Sequence, residues 1–308
     1  MLGLSRYNYK TFTNDVLLAD ASKTGFGSGP EPGERAPDLK ARTLEGETVR
    51  LSDYREKSNV VLTFGSATCP FTAASIGGMN DLFAKYADRD DVAFLFVYVR
   101  EAHPGEKLRE HHSMKQKIRA AKLLRDEEEV EIPILVDDLD GKIHKKYGKL
   151  PNPTYLIDKS GRVAFRSLWT RAKTVEEALD ELLRVEREQN TDRAVVLDGE
   201  DTSTAMTYAM LHSHRALERG GKKAIRDFRE ELGQGGRLAE TASRIAAPIA
   251  LNPGKALAGA ALAGAVIAGG LYGGVKLREA RLSRRRRNPY RFYDKEPLKE
   301  SDDYAVGI

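Results

Sequence analysis

The residue whose neighbours could best support chemistry is Cys69, the single cysteine of the chain. It lies in the stretch VVLTFGSATCPFT, residues 60–72, where an apolar, β-branched run gives way to Gly65 and Ser66 and then to Pro70. This pattern predicts a buried strand, a turn, and a helix beginning near Pro70. Proline suits the first helical turn because its missing N–H would have no intrahelical partner there. Cys69 then faces free N–H groups and the positive end of the helix dipole, which favour thiolate over thiol. Ser66 and Thr68 add hydroxyls beside it. The competing reading is an inert, buried cysteine. A lone sulfur excludes an intrachain disulfide framework, a CxxC zinc site and a two-thiol redox pair. Thiol chemistry here would run through a sulfenate or mixed disulfide cleared by an external thiol reductant.

A second group leaves the end of the next apolar run. Glu101 and His103 follow a predicted strand and should reach the same sheet edge as Cys69. His103 then reads as an acid/base or substrate-contacting group with Glu101 as its orienter, against the plainer reading of a loop histidine and a solvated carboxylate. The other histidines fit chelation poorly. His111 and His112 are adjacent and His212 and His214 are two apart, so neither pair shares a helix face. No metal site and no cofactor are expected.

Positioning these residues requires an alternation of strands and helices. Short apolar runs predict strands over 60–64, 93–99, 132–136, 154–157 and 163–166. Helical periods predict helices over 71–86, 107–126 and 174–188, the last with Thr174 and Glu177 at capping-box spacing. This is an α/β layer pattern. The expected organisation is an extended N-terminal arm (1–35, ending in a Gly/Pro-rich stretch), the α/β domain (36–190), a helical extension (191–251), a membrane segment (252–278) and a basic C-terminal tail (279–308). Helices are predicted over 202–219, 222–232 and 237–251, the last interrupted by Pro248, with Met206, Met210 and Leu217 as a packing stripe.

The segment LPNPTYLIDKSGRV, residues 150–163, reads as loop, strand, turn, strand. Paired with the strand–Cys-Pro–helix stretch, it makes residues 36–183 resemble the thioredoxin-like redoxins. In that fold a cis-proline lies beside the redox cysteine, and Pro153 stands at the matching place, where it would shape the substrate groove. Within the redoxins the chain is most similar to the iodothyronine deiodinases and their bacterial relatives. The resemblance rests on FGSATCP, residues 64–70, where the animal enzymes have selenocysteine at the position of Cys69, and on YVREAHP, residues 98–104. Ser66 stands where the neighbouring peroxiredoxins have Thr, but Leu62 replaces their proline. Thr72 stands where a thioredoxin has its second cysteine. Sulfur in place of selenium, and an apolar segment at the C-terminal rather than the N-terminal side, separate the chain from the animal enzymes.

Composition bounds the partners. The chain has 308 residues, 41% hydrophobic and 31% charged, which is enough apolar material for a real core. Its net charge of +4 resides in residues 276–308, which hold 10 Lys and Arg against 6 Asp and Glu. The rest is neutral, so no nucleic-acid-binding face is expected. Residues 256–275 form a twenty-residue stretch without a charge, long enough for a transmembrane helix. Gly269 with Gly273, and Gly270 with Gly274, have the small-xxx-small spacing of packed membrane helices. Membrane lipid, and a transmembrane helix partner or larger membrane complex, are therefore expected. No secretory signal is seen over residues 1–24. Nine Lys and Arg follow the apolar stretch within twenty residues and three precede it. A single pass then places the α/β domain outside, whereas an embedded hairpin bent at residues 252–254 keeps it on the cytoplasmic side, the arrangement favoured here.

Three functions are expected, in this order. The first is a membrane-attached, single-cysteine redoxin of peroxidase or thiol–disulfide type using a Cys69 thiolate. The second is a non-catalytic redoxin-fold subunit docked to a membrane complex. The third, implied only by the resemblance, is reductive dehalogenation.

Overall fold

The computed structural model describes residues 7–16, 29–192 and 202–250. The expected membrane segment and basic tail lie outside these residues. Among the described residues no helix is long and apolar enough to cross a membrane.

A seven-stranded sheet organises the α/β domain. In chain order the strands are β1 (Lys40–Thr43), β2 (Thr48–Arg50), β3 (Asn59–Gly65), β4 (Val92–Tyr98), β5 (Ile134–Val136), β6 (Thr154–Ile157) and β7 (Val163–Ser167). Their spatial order is β2-β1-β5-β4-β3-β6-β7. β3, β4 and β5 are parallel at the centre, while β1, β6 and β7 run antiparallel to their neighbours. Every residue of β3 is buried, as its continuous apolar run requires of a strand covered on both faces.

Successive side chains point to opposite faces, which splits the core in two. Val61, Phe94, Phe96 and Leu156 pack under α1 (Pro70–Lys85), α2 (Met114–Glu128) and α4 (Ala172–Gln189). Val60, Leu62, Leu95 and Ile157 meet Leu39, Leu51 and Tyr147 on the other face, near the short helix α3 (Lys142–Lys146). Leu179 of α4 is fully buried in the first cluster. Leu179→Ala is expected to lower unfolding free energy by about 3 kcal/mol, measured by urea denaturation.

Beyond the domain come α5 (Thr202–Gly220), α6 (Lys222–Glu231) and α7 (Gly233–Ala250). Two arginines of α5 bind the site-bearing part of the domain. Arg219 donates to the Ala67 carbonyl at 3.0 Å and pairs with Glu127 and Glu128, while Arg215 donates to the Ala73 carbonyl at 2.8 Å. Gly105 and Gly220 approach so closely that a Cβ on Gly105 would stand 2.0 Å from the Gly220 carbonyl oxygen. Leu217 packs with Ala224 and Phe228, as a packing stripe requires.

The arm is joined to the domain as well. Tyr9 donates to the Ala102 carbonyl at 2.7 Å, and the Arg100 guanidinium lies 5.0 and 4.9 Å from the ring centroids of Tyr7 and Tyr9. The Asn14 amide donates to the Glu231 carboxylate at 2.9 Å, tying the arm to α6.

Several local expectations need correction. The helix expected over 107–126 begins at Met114, where the Ser113 hydroxyl accepts from the Gln116 amide and caps it. Thr174 caps nothing, because α4 starts at Ala172 and Thr174 is already buried inside it. α7 runs from Gly233 through Pro248 to Ala250, so this proline does not interrupt it.

Candidate active site

The parallel strands β3 and β4 end side by side, with Gly65 opposite Tyr98, and the loops beyond them carry the candidate residues. Cys69 is the N-cap of α1 and Pro70 its first residue, as the sequence predicts. The Cys69 carbonyl already accepts the first helical bond, from Ala73 at 3.1 Å.

The electrostatic outcome differs from the helix-start argument. Cys69 is only 1% exposed, and burial pushes its thiol above the ordinary range. The Thr72 hydroxyl and the Thr72 and Phe71 amides favour the thiolate, whereas the Glu101 charge opposes it. Desolvation exceeds the helix-end donors because low-polarity surroundings penalise an anion more than a few hydrogen bonds restore. Burial thus favours the thiol over the thiolate.

Glu101 is fully enclosed and accepts four hydrogen bonds. The Thr68 amide donates at 3.0 Å, the Thr68 hydroxyl at 2.7 Å and His111 Nε2 at 3.2 Å, while the Tyr98 hydroxyl makes a short fourth contact. Burial alone would raise its pKa, but His111, Tyr98 and Thr68 outweigh that and hold the carboxyl below the usual range. Glu101 therefore orients Thr68 and His111, and its carboxylate makes no bond to the His103 ring. Its link to His103 passes through Thr68, whose hydroxyl accepts from the His103 backbone amide at 3.0 Å. Ser66 accepts from the Ala102 amide at 3.2 Å and so fixes the same loop. Glu101→Gln would turn an amide N–H₂ toward groups that already donate. It is expected to cost about 3 kcal/mol in urea unfolding.

His103 and Cys69 line one cavity of about 180 Å³. His103 packs between Phe12, at 4.3 Å between ring centroids, and Phe228, at 5.4 Å. Burial lowers its pKa to about 3, with Asp227 and Glu101 pulling weakly the other way. Its Nδ1 is buried without a hydrogen-bond partner. The imidazole is thus neutral and offers an unsatisfied polar atom in an otherwise aromatic wall. Phe71 and Trp169 stack at 3.9 Å on another side of the cavity.

Pro153 stands apart from the other expected site residues. It is buried behind the cavity, where its carbonyl accepts from the Phe64 amide at 3.2 Å, and Pro151 lines the cavity instead. No described peptide bond is cis, so the resemblance to a cis-proline stops at sequence position. Tyr98, His111, Arg100, His144 and Trp169 were not singled out as site residues by sequence reasoning. His144 is held by the Tyr7 hydroxyl at 2.9 Å and donates to the Leu150 carbonyl at 2.6 Å. Among the described residues no group of three or more His, Cys, Asp or Glu could hold a metal ion.

Residues 32–166 match the family described as AhpC/TSA. Peroxiredoxin Bcp of Bacillus subtilis is 30% identical over 155 residues, covering 49% of this chain and 94% of that protein. Thyroxine 5-deiodinase of Gallus gallus is 30% identical over 163 residues, covering 49% of this chain and 62% of the relative. Type I iodothyronine deiodinase of Xenopus laevis is 29% identical over 143 residues, covering 44% and 55% respectively. The chain therefore spans less than two thirds of the length of these deiodinases. Residues 7–16 and helices α5–α7 lie outside the family-matched segment.

Proposed function

The chain belongs to the AhpC/TSA family, and on that premise we propose that it is a single-cysteine thiol oxidoreductase acting through Cys69. The observation that carries this reading is the helix-start sulfur and the unpartnered His103 Nδ1 on the wall of one largely apolar cavity. Cys69 loses its proton as a hydroperoxide enters. The thiolate attacks the terminal peroxide oxygen, the S–O bond forms as the O–O bond breaks, and the alcohol or water leaves with a proton. The sulfenate is reduced by two equivalents of an external thiol, the first forming a mixed disulfide and releasing water, the second releasing Cys69. The Thr72 hydroxyl and the amides of Phe71 and Thr72 stabilise the anion during the step.

On the same proposal, the uncharged stretch at residues 256–275 serves as a membrane anchor and leaves the domain on the cytoplasmic side. Exposure of purified protein to substoichiometric hydroperoxide, followed by a sulfenate-trapping dione and mass spectrometry, should label Cys69 in most of the protein. An unlabelled Cys69, with peroxide unconsumed, would sink the enzymatic reading.

A second reading is favoured by the burial that disfavours the thiolate. There the domain is a non-catalytic subunit of a membrane assembly, and Cys69→Ser leaves both the assembly and its activity unchanged.

A further inference from the structure

We infer that the thiol regenerating Cys69 is a low-molecular-weight one, and that residues 7–16 together with α5–α7 exclude protein dithiols from the sulfur. This rests on the proposed thiol chemistry and names the reductant for the same site.

In any mixed disulfide the two Cα atoms stand roughly 4.4–6.8 Å apart. A protein reductant must therefore bring its own backbone to within about 7 Å of Cys69, with the residues flanking its cysteine close behind. Cys69 is 1% exposed, and the cavity it lines is walled by side chains from elsewhere in this chain: Phe12 from the arm, Met210 from α5, Phe228 from α6 and Leu232 just beyond it. What remains is about 180 Å³. It admits a small thiol, and not a cysteine-bearing loop or helix end.

The cover is fastened on several sides of the sulfur. Arg219 and Arg215 bind the carbonyls of Ala67 and Ala73, which bracket Cys69 in sequence. The Glu106 carboxylate caps α6 by accepting from the Lys222 and Lys223 amides at 2.6 and 2.8 Å. Tyr9 holds the arm to the loop carrying His103, and Asn14 joins arm to α6. All of these covering residues except Glu106 lie outside the segment shared with the family, so the enclosure is an addition to the family core.

The steps balance without another co-reactant. A small thiolate attacks the oxidised sulfur of Cys69, giving a mixed disulfide and water. A second small thiolate attacks its own kind's sulfur in that disulfide, releasing the Cys69 thiol and a small-molecule disulfide.

The test uses the full-length protein in mild detergent and needs no peroxide. Methyl methanethiosulfonate converts Cys69 to its S-methylthio form, and intact mass follows loss of the label to 2-mercaptoethanol or to a thioredoxin-type protein dithiol at equal thiol concentration. A labelled peptide spanning residues 64–72 sets the ratio of the two rates without steric cover. On the folded protein the ratio of protein-dithiol rate to small-thiol rate should fall by at least about a hundredfold relative to the peptide, and a fall of less than about tenfold overturns the inference. Phe12→Ala and Phe228→Ala, each checked for folding by urea denaturation, should recover about tenfold of the lost ratio. If neither variant recovers any of it while folded, the cover is not the cause and the inference fails. Sulfenate trapping reports separately on the peroxide step, so failure of that reading is distinguishable from failure of this one.

Discussion

Cys69→Ser is expected to reduce thiol-dependent hydroperoxide consumption by at least about a thousandfold while leaving the urea midpoint nearly unchanged. A hydroxyl is smaller than a thiol by less than a methyl group, so the cavity and the first turn of α1 should persist. Its proton is far harder to remove, and the resulting alkoxide has no counterpart to the sulfenate as a readily reduced product. A loss of turnover without loss of fold separates chemistry from packing, because a purely structural cysteine would show the reverse. Consumption that survives in the serine variant would move the domain to the non-catalytic reading. The same purified protein gives a companion measurement, since burial holds the wild-type thiol above its ordinary range. Alkylation should still be rising with pH beyond the free-thiol reference of about 8.5.

That direction matters because the expected stabilisation of the thiolate came from correct local geometry. The N-cap position of Cys69 and the placement of Pro70 were readable from an apolar run ending in Gly-Ser and a proline at the first helical position. The strand–turn–strand unit of β6 and β7 was readable for a similar reason. Asp158 accepts from the Ser160 hydroxyl and the Arg162 amide, and Gly161 supplies the positive φ of that turn. Such signals lie within about a dozen residues of one another. β1 was missed because a four-residue strand alternating exposed and buried carries only two inward side chains. α3 was missed because five residues with three basic side chains in the last turn show little helical period.

The larger loss was non-local. Phe12, Met210 and Phe228 reach the Cys69 cavity from segments remote in the chain, and nothing in their immediate neighbours announces a shared wall. Burial of Cys69 reverses the pKa direction that the helix start alone would give. Glu101 was recognised as important but assigned to the wrong imidazole. The sequence neighbours Thr68 and His103 were both in view, while the bond from His111 depends on how the coil before α2 returns to β4. Proximity in sequence favoured His103; the folded loop favours His111.

Lowering the pH from 7 to 5 is expected to remove about 4 kcal/mol of stability, about 2 kcal/mol from each of His103 and His144. Both rings are buried and neutral, His103 with its pKa lowered to about 3 and His144 well below the ordinary value, in each case chiefly by burial. In the unfolded chain each titrates near the reference of about 6.5. Between the two values the unfolded state binds the proton and the folded state refuses it, so stability rises with pH through that window and is lost on acidification. Arg100, Lys117 and Lys149 add to the lowering at His144, whereas Asp227 and Glu101 partly oppose it at His103. Lys117 does not confuse the measurement. Its pKa is lowered to about 8 by burial, which confines its own effect to pH above that value. Glu101, held below the carboxylate range, contributes its loss only further into acid. Urea midpoints at pH 7, 6 and 5 measure the slope directly. His103→Phe keeps an aromatic ring between Phe12 and Phe228 but removes one titration, so its slope should be about half that of the wild type. An unchanged slope in that variant would mean that His103 binds its proton in the folded state, and with it the aromatic, water-poor wall beside Cys69 would have to be given up.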